Sequence, residues 1–362
     1  MPRRISPCRA RFRGLFHFRN PMKLSPARLA KLLSAYIPRR LPVLITGRPG
    51  IGKSDIVESA TEAAGHDLLI SHPVVEDPTD SKGLPFPSAD GQHARFLPFG
   101  DLERALSATR PLVWFFDDLG QASPAVQAAK MQLLLARRIG EHQLPDFVTF
   151  VAATNRRGDN AAVSGILDPL ISRFAAVVEL EATVDDWTTW AVQQDVPPEL
   201  IAFLRFRPDL LWEERSGRDI VASASPRKWG FLAKTMSAVP ADLLPDAINA
   251  TVGEGAGAEL LSFLAIYRAL PSVDAILLNP DLGVIPDEPS ILYALTAALA
   301  HKASDGNFER VLQYADRLVD AGRREFTALL VRDATARRPD LANHHAFIRA
   351  QGGEIGKIIR GE

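Results

Sequence analysis

Cysteine is almost missing from this 362-residue chain, with Cys8 the single one. An intrachain disulfide, a cysteine-based zinc site and a redox pair are therefore excluded. Long apolar runs are missing too. The longest candidate, Ile291 to Ala300, is about half the roughly 18–20 residues a membrane span requires, so a core helix is expected there and no membrane partner. Histidines at zinc spacing, a His-Glu-x-x-His string and a calcium-loop pattern do not occur, which leaves His344 and His345 as surface or packing residues. A reducing compartment, the cytoplasm, suits such a composition.

Acidic residues are absent from positions 1–21, which hold six arginines: Arg3, Arg4, Arg9, Arg11, Arg13 and Arg19. Removing these six from the 42 Lys and Arg leaves 36 against 43 Asp and Glu, a net charge of −7 for the body behind an overall −1. Affinity for a nucleic-acid backbone comes mainly from Lys and Arg, so nucleic acid is a poor partner for this body. The basic start, residues 1–22, is expected to be a disordered arm or leader, or read-through upstream of a true start at Met22.

What is present is an alternation of strand and helix signals. Lys23 to Tyr36 has apolar residues at helical spacing and is stopped by Pro38. Short apolar runs at Leu41–Thr46, Leu68–Ser71, Leu112–Phe116, Phe150–Ala153 and Ala176–Leu180 are expected strands. Helices are expected at Ser54–Ala64, Asp101–Thr109 and Pro124–Arg138, the last with Ser123 as its N-cap. Residues 73–98, rich in Pro, Gly and Asp, are expected to be mostly loop with a short hairpin, and 139–149 a small hairpin. This pattern predicts an α/β domain over 23–183, with a parallel sheet covered by helices. Beyond Glu181 the strand signal ends, predicting a helical lid over 184–240 and a helical C-terminal region over 241–362.

One string carries chemistry by itself. Gly47-Arg48-Pro49-Gly50-Ile51-Gly52-Lys53-Ser54 satisfies G-x-x-x-x-G-K-[ST] between a strand and a helix. Glycines let successive backbone N–H groups turn inward on phosphate oxygens, and the helix that follows adds its positive end. Lys53 is placed for the β- and γ-phosphates, and the Ser54 hydroxyl for Mg²⁺. A phosphate-loop enzyme also needs a carboxylate at a neighbouring strand end, and Leu112–Phe116 ends in Asp117-Asp118. Asp117 suits the metal and Asp118 the attacking water. Asn155, after another apolar strand, is either a turn residue or a group that reaches the γ-phosphate or the water, since strand C-termini line the ligand side of such sheets.

Together these residues carry a resemblance. Gly47–Ser54 resembles a Walker A and Leu112–Asp118 a Walker B. Ala153-Thr154-Asn155 resembles the sensor 1 of AAA+ ATPases. Leu167-Asp168-Pro169-Leu170-Ile171-Ser172-Arg173-Phe174 is similar to the segment that carries their arginine finger, and Ser225-Pro226-Arg227 to their sensor 2. Asp77-Pro78-Thr79-Asp80-Ser81-Lys82-Gly83-Leu84-Pro85 resembles a stretch of the MoxR-like members. The resemblance covers roughly residues 40–235. It implies an AAA+ P-loop NTPase using ATP and Mg²⁺, and self-association into a ring, six subunits being the expected size. It further implies Arg173 acting on the neighbouring subunit's site, Arg227 touching phosphates in its own, and a protein-remodelling role. The client it suggests is a protein with a von Willebrand A-type domain. One departure matters: most relatives have Asp-Glu where this chain has Asp117-Asp118. The shorter side chain reaches about 1.5 Å less, so hydrolysis is expected to be slow, or the protein a nucleotide-gated scaffold.

Overall fold

The computed structural model describes residues 21–159, 165–213 and 221–362; the basic segment over 1–20 lies outside them. The first domain alternates strands β1 (Met22–Leu24), β2 (Val43–Thr46) and β3 (Asp67–Ser71) with helices α1 (Pro26–Tyr36) and α2 (Lys53–Ala63). It continues through α3 (Pro78–Lys82), a hairpin of β4 (Leu84–Pro87) and β5 (Ala94–Leu97), α4 (Gly100–Leu106) and β6 (Leu112–Phe116). Helix α5 (Pro124–Ala136), a second hairpin of β7 (Arg138–Ile139) and β8 (His142–Gln143), β9 (Val148–Thr154), α6 (Asp168–Ile171) and β10 (Ala176–Leu180) complete it.

Six strands form one sheet in the order β1-β10-β2-β9-β6-β3, every neighbour parallel. Side chains alternate across a strand, and here the two sets fill different cores. Leu44, Trp114, Phe116, Phe150 and Ala152 pack with Leu102 of α4 and Leu133 of α5. Val43, Ile45, Val113, Phe115, Val151 and Ala153 pack with Leu29 and Leu33 of α1 and Val57 of α2. Burial on both faces is why these strands are continuous apolar runs. The order also sets the C-terminal ends of β2, β9 and β6 side by side, with Thr46 beside Thr154 and Phe116 beside Ala152.

The helix expected from Lys23 does not begin there. Met22–Leu24 adds an edge strand to β10, and α1 starts only at Pro26, which occupies its first turn. Proline lacks the N–H that a helix interior needs and forces the preceding residue to be extended; Ser25 has ψ 160°. Residues 73–98 are also more ordered than a loop. Asp77 and Asp80 form a reciprocal capping box on α3, and Gly83 (φ +93°) turns the chain into β4.

The described residues after β10 are helical: α7 (Val184–Gln193), α8 (Pro198–Phe206), α9 (Pro226–Thr235), α10 (Leu244–Val252), α11 (Glu254–Arg268), α12 (Val273–Leu278), α13 (Pro289–Lys302), α14 (Phe308–Asp320), α15 (Arg324–Arg337), α16 (His345–Ala350) and α17 (Glu354–Arg360). One apolar cluster joins Trp187, Phe203, Trp229, Phe263 and Ala294, and so runs across the boundary expected at residue 240. A second gathers Leu295, Phe308, Tyr314 and Phe326. Arg205 of α8 and Asp333 of α15 tie the two with a buried ion pair, Nη2 to Oδ1 at 2.9 Å. Among the described residues no helix is long and apolar enough to cross a membrane.

Candidate functional site

The turn after β2 has Gly50 at φ +76° and Gly52 at φ +95°, a backbone that L side chains adopt only with strain. No side chain caps the helix it opens, α2, so the first N–H groups remain available to an anion. Lys53 folds back over this loop. Its Nζ donates to the carbonyls of Gly47 (3.0 Å) and Arg48 (3.1 Å) and to Asn155 Oδ1 (2.8 Å). Burial pulls its ammonium down to a pKa of about 8; Asp118 and Asp117 pull upward, and Arg227 downward.

Ser54, the next residue, donates from Oγ to Asp117 Oδ2 at 2.8 Å. Asp118 adopts the left-handed region at φ +56°, which aspartate tolerates better than most residues. Its Oδ1 accepts from Asn155 Nδ2 at 3.2 Å. Burial, and then the charge of Asp117, raise its pKa; Lys53, His72 and Arg227 act the other way. Three segments far apart in sequence thus meet in one chain of contacts, Lys53 to Asn155 to Asp118. Asn155 itself is 8% exposed, which sets it apart from an ordinary turn residue.

Arg227 lies in the first turn of α9 beneath the N-cap Ser225, whose hydroxyl accepts from the Lys228 N–H. A Cβ added at Gly50 would stand 3.4 Å from Arg227 Cβ and 3.7 Å from Ser225 Oγ. The start of α9 therefore rests against the phosphate loop. On the same side Arg48 places its guanidinium 5.2 Å from the centre of the Trp212 ring. Pro49 and Ile51 complete the loop, Ile51 packing at the margin of the apolar core shared with α1 and α2.

Arg173 is not brought to this cluster. It follows α6, and its Nη1 donates to Ser172 Oγ at 2.6 Å. The segment before it is tied down by a residue that no sequence motif singles out. Gln127 of α5, 1% exposed, donates to the carbonyls of Ala122 (3.1 Å) and Gly165 (2.9 Å) and accepts from the Leu167 N–H (3.0 Å).

Arg156 was likewise missed. Its Nη2 pairs with Asp159 at 2.7 Å and its Nη1 with the buried Glu179 of β10 at 3.1 Å, and these hydrogen bonds, that to Asp159 first, hold its pKa above the usual range. Gly120 has a packing reason: a Cβ there would come within 2.2 Å of Thr154 Oγ1. The Gly120 contact is readable only once β9 is known to lie beside β6, and the Arg156–Glu179 pair only once β10 and β9 are known to flank β2.

The residues fit a magnesium–nucleoside triphosphate. Uncapped N–H groups and Lys53 suit the phosphates, and the adjacent Ser54 hydroxyl and Asp117 carboxylate supply the hard oxygen donors that magnesium takes. Among the described residues no group of three His, Cys, Asp or Glu is placed to hold a metal by itself. A magnesium ion would accordingly draw on substrate and water as well.

No protein-family model and no curated protein sequence matches the chain. Solved structures do. A point mutant of RuvB from Thermotoga maritima is 18% identical, with 75% of this chain and 80% of that one covered, at a TM-score of 0.39. A putative ATPase from Cytophaga hutchinsonii is 12% identical over 62% and 80%, at 0.31, and NtrX from Brucella abortus 13% over 92% and 66%, at 0.34. Likeness at that level says nothing about chemistry, which rests on the residues of this chain. Its parallel sheet with a phosphate loop after β2, followed by a helical C-terminal region, has the architecture of a P-loop NTPase.

Proposed function

We propose that this protein is an ATP-driven AAA+ ATPase of the MoxR-like kind, which remodels other proteins. The observation that carries the reading is the contact chain of Lys53 Nζ to Asn155 Oδ1 (2.8 Å) and Asn155 Nδ2 to Asp118 Oδ1 (3.2 Å). An ammonium and a neutral amide, both buried, and a half-buried carboxylate thus stand in one line. A merely structural glycine-rich turn would have no use for that arrangement.

On this reading the N–H groups of residues 50–54 and Lys53 hold the triphosphate, while Ser54 and Asp117 hold Mg²⁺. The metal ion neutralises charge on the phosphoryl group. Asp118 orients the attacking water, and Asn155 fixes Asp118 and reaches toward the γ-phosphate. Arg227, at the foot of α9, contacts the phosphates and makes the lid sensitive to nucleotide. Arg173, which stands outside its own subunit's cluster, completes the site of a neighbour in a ring, six subunits being the expected size. Differential binding between nucleotide states then performs work on a client, with a von Willebrand A-type domain protein the first candidate.

A slower, scaffold-like protein is the second reading. The shorter Asp118 and its engagement by Asn155 favour it. Phosphate release separates the two: measurable turnover that disappears in Arg173→Ala supports the motor, and equal, negligible release from both supports the scaffold. A protein that binds no adenine nucleotide, or binds it equally well as Lys53→Ala, would end both readings.

A further inference from the structure

Lys130, on α5, is 1% exposed and packs against the sheet face opposite the one that α2 covers. Its Nζ forms an ion pair with Glu76 Oε2 at 2.6 Å. It also stands 4.8 Å from the ring centre of Phe116 and 5.3 Å from that of Trp114. Both rings belong to β6, the strand that ends in Asp117 and Asp118. Trp114 is braced again, donating from Nε1 to Ser71 Oγ (2.6 Å), which in turn donates to Asp101 (2.5 Å). The Asp117 N–H donates to the Ser71 carbonyl at 2.9 Å.

Two apolar residues would fill this place at least as stably as a buried ion pair, so stability alone does not explain it. What the pair imposes is a single geometry among α5, the end of β6 and the loop that leaves β3. That loop continues from Glu76 through α3 into the β4–β5 hairpin, where Leu84, Phe86, Phe96 and Leu97 are all exposed. The pair thus lies between an exposed apolar hairpin and the carboxylates of the site. Glu76 Oε2 also accepts from Ser81 Oγ of α3 at 3.5 Å, while its Oε1 is buried with no hydrogen-bond partner among the described residues.

We propose that Lys130 is a positioning residue: its ion pair with Glu76 makes the placement of Asp117 and Asp118 depend on the loop that carries the hairpin. The proposal rests on the reading of the site as one for magnesium and ATP, and deepens it by naming how a protein bound at the hairpin would alter turnover.

The test titrates the full chain with a fluorescent ATP analogue, in magnesium and in EDTA. Lys130→Met alone strands the Glu76 charge and risks unfolding, so the decisive variant combines Lys130→Met with Glu76→Leu, its fold checked by thermal unfolding. The expected result is unchanged affinity in EDTA, with a loss of about tenfold or more in the magnesium enhancement of affinity and a parallel loss in turnover. A folded double variant with the wild-type magnesium enhancement overturns the proposal. So does a double variant that cannot fold, since the pair would then serve stability. A wild type that binds no adenine nucleotide is a different failure, that of the site reading, and is seen before any variant is made; it takes this proposal with it.

Discussion

The Ser54 hydroxyl donates to Asp117 Oδ2 across 2.8 Å, joining the first turn of α2 to the end of β6. Residues 63 positions apart thereby present two hard oxygen atoms side by side. Asp117 has little freedom to turn away, because its N–H is held by Ser71 and its Oδ1 accepts from the Asp118 N–H at 3.0 Å.

Removing that hydroxyl should weaken the metal more than the nucleotide. Ser54→Ala is expected to raise the magnesium concentration needed for half-maximal nucleotide affinity by about tenfold, with affinity in EDTA nearly unchanged. Titration of magnesium at fixed fluorescent nucleotide measures it. Equal losses with and without magnesium would contradict the assignment.

Lys53 sets a pH dependence. Its pKa is about 8 in the folded protein against 10.5 ordinarily. Between those values the unfolded chain binds more protons, so stability rises with pH across this window, and the cost of burying the charge is complete below it. Lys53→Met should therefore gain more stability relative to wild type at pH 7 than at pH 10, by on the order of 2 kcal/mol. Urea unfolding without nucleotide at both pH values gives the comparison. Equal gains at the two pH values would mean that Lys53 keeps its ordinary pKa.

Asp118 is predicted to limit turnover by its reach. Asp118→Glu should hydrolyse ATP about tenfold or more faster, at a small loss of stability because glutamate suits φ +56° less well than aspartate does. Asp118→Asn should fold and bind nucleotide normally yet release no phosphate. Steady-state phosphate release compares the three proteins, and a wild type as fast as Asp118→Glu would refute the reach argument.

Arg173 should act between subunits. Arg173→Ala is expected to bind nucleotide like wild type and to lose about 10³–10⁵ in rate if it works as an arginine finger. Mixing it with Lys53→Ala should restore part of the activity, since an intact phosphate loop would then stand beside an intact Arg173. No recovery on mixing would place Arg173 outside any shared site.

Arg205 and Asp333 make a stability prediction apart from the chemistry. Their side chains are 10% and 9% exposed. Arg205→Met leaves a buried carboxylate alone and should cost about 3–5 kcal/mol, most of it regained by adding Asp333→Leu. Denaturant unfolding of both variants tests this, and an additive double variant would show that the two charges do not compensate each other.

The strands were legible because burial on both faces makes them continuous apolar runs, and Leu112–Phe116 and Ala176–Leu180 lie where the sequence places them. The edge strand Met22–Leu24 was not. Three residues carry no period of their own, and only β10 alongside makes them a strand. Helix α3 was hidden among prolines because its stability comes from the Asp77–Asp80 cap more than from any apolar face.

By itself the sequence determined the local chemistry. The spacing of Gly47, Gly50, Gly52, Lys53 and Ser54 is contiguous, and a phosphate-binding turn needs nothing from elsewhere in the chain to be recognised. Tertiary structure alone decided which distant groups meet. Asn155 reaches Lys53 and Asp118 because β9 lies between β2 and β6. Lys130 finds Glu76 because α5 covers the sheet face on which Trp114 and Phe116 stand. Strand order is a property of the whole packed core, and no short window of residues carries it.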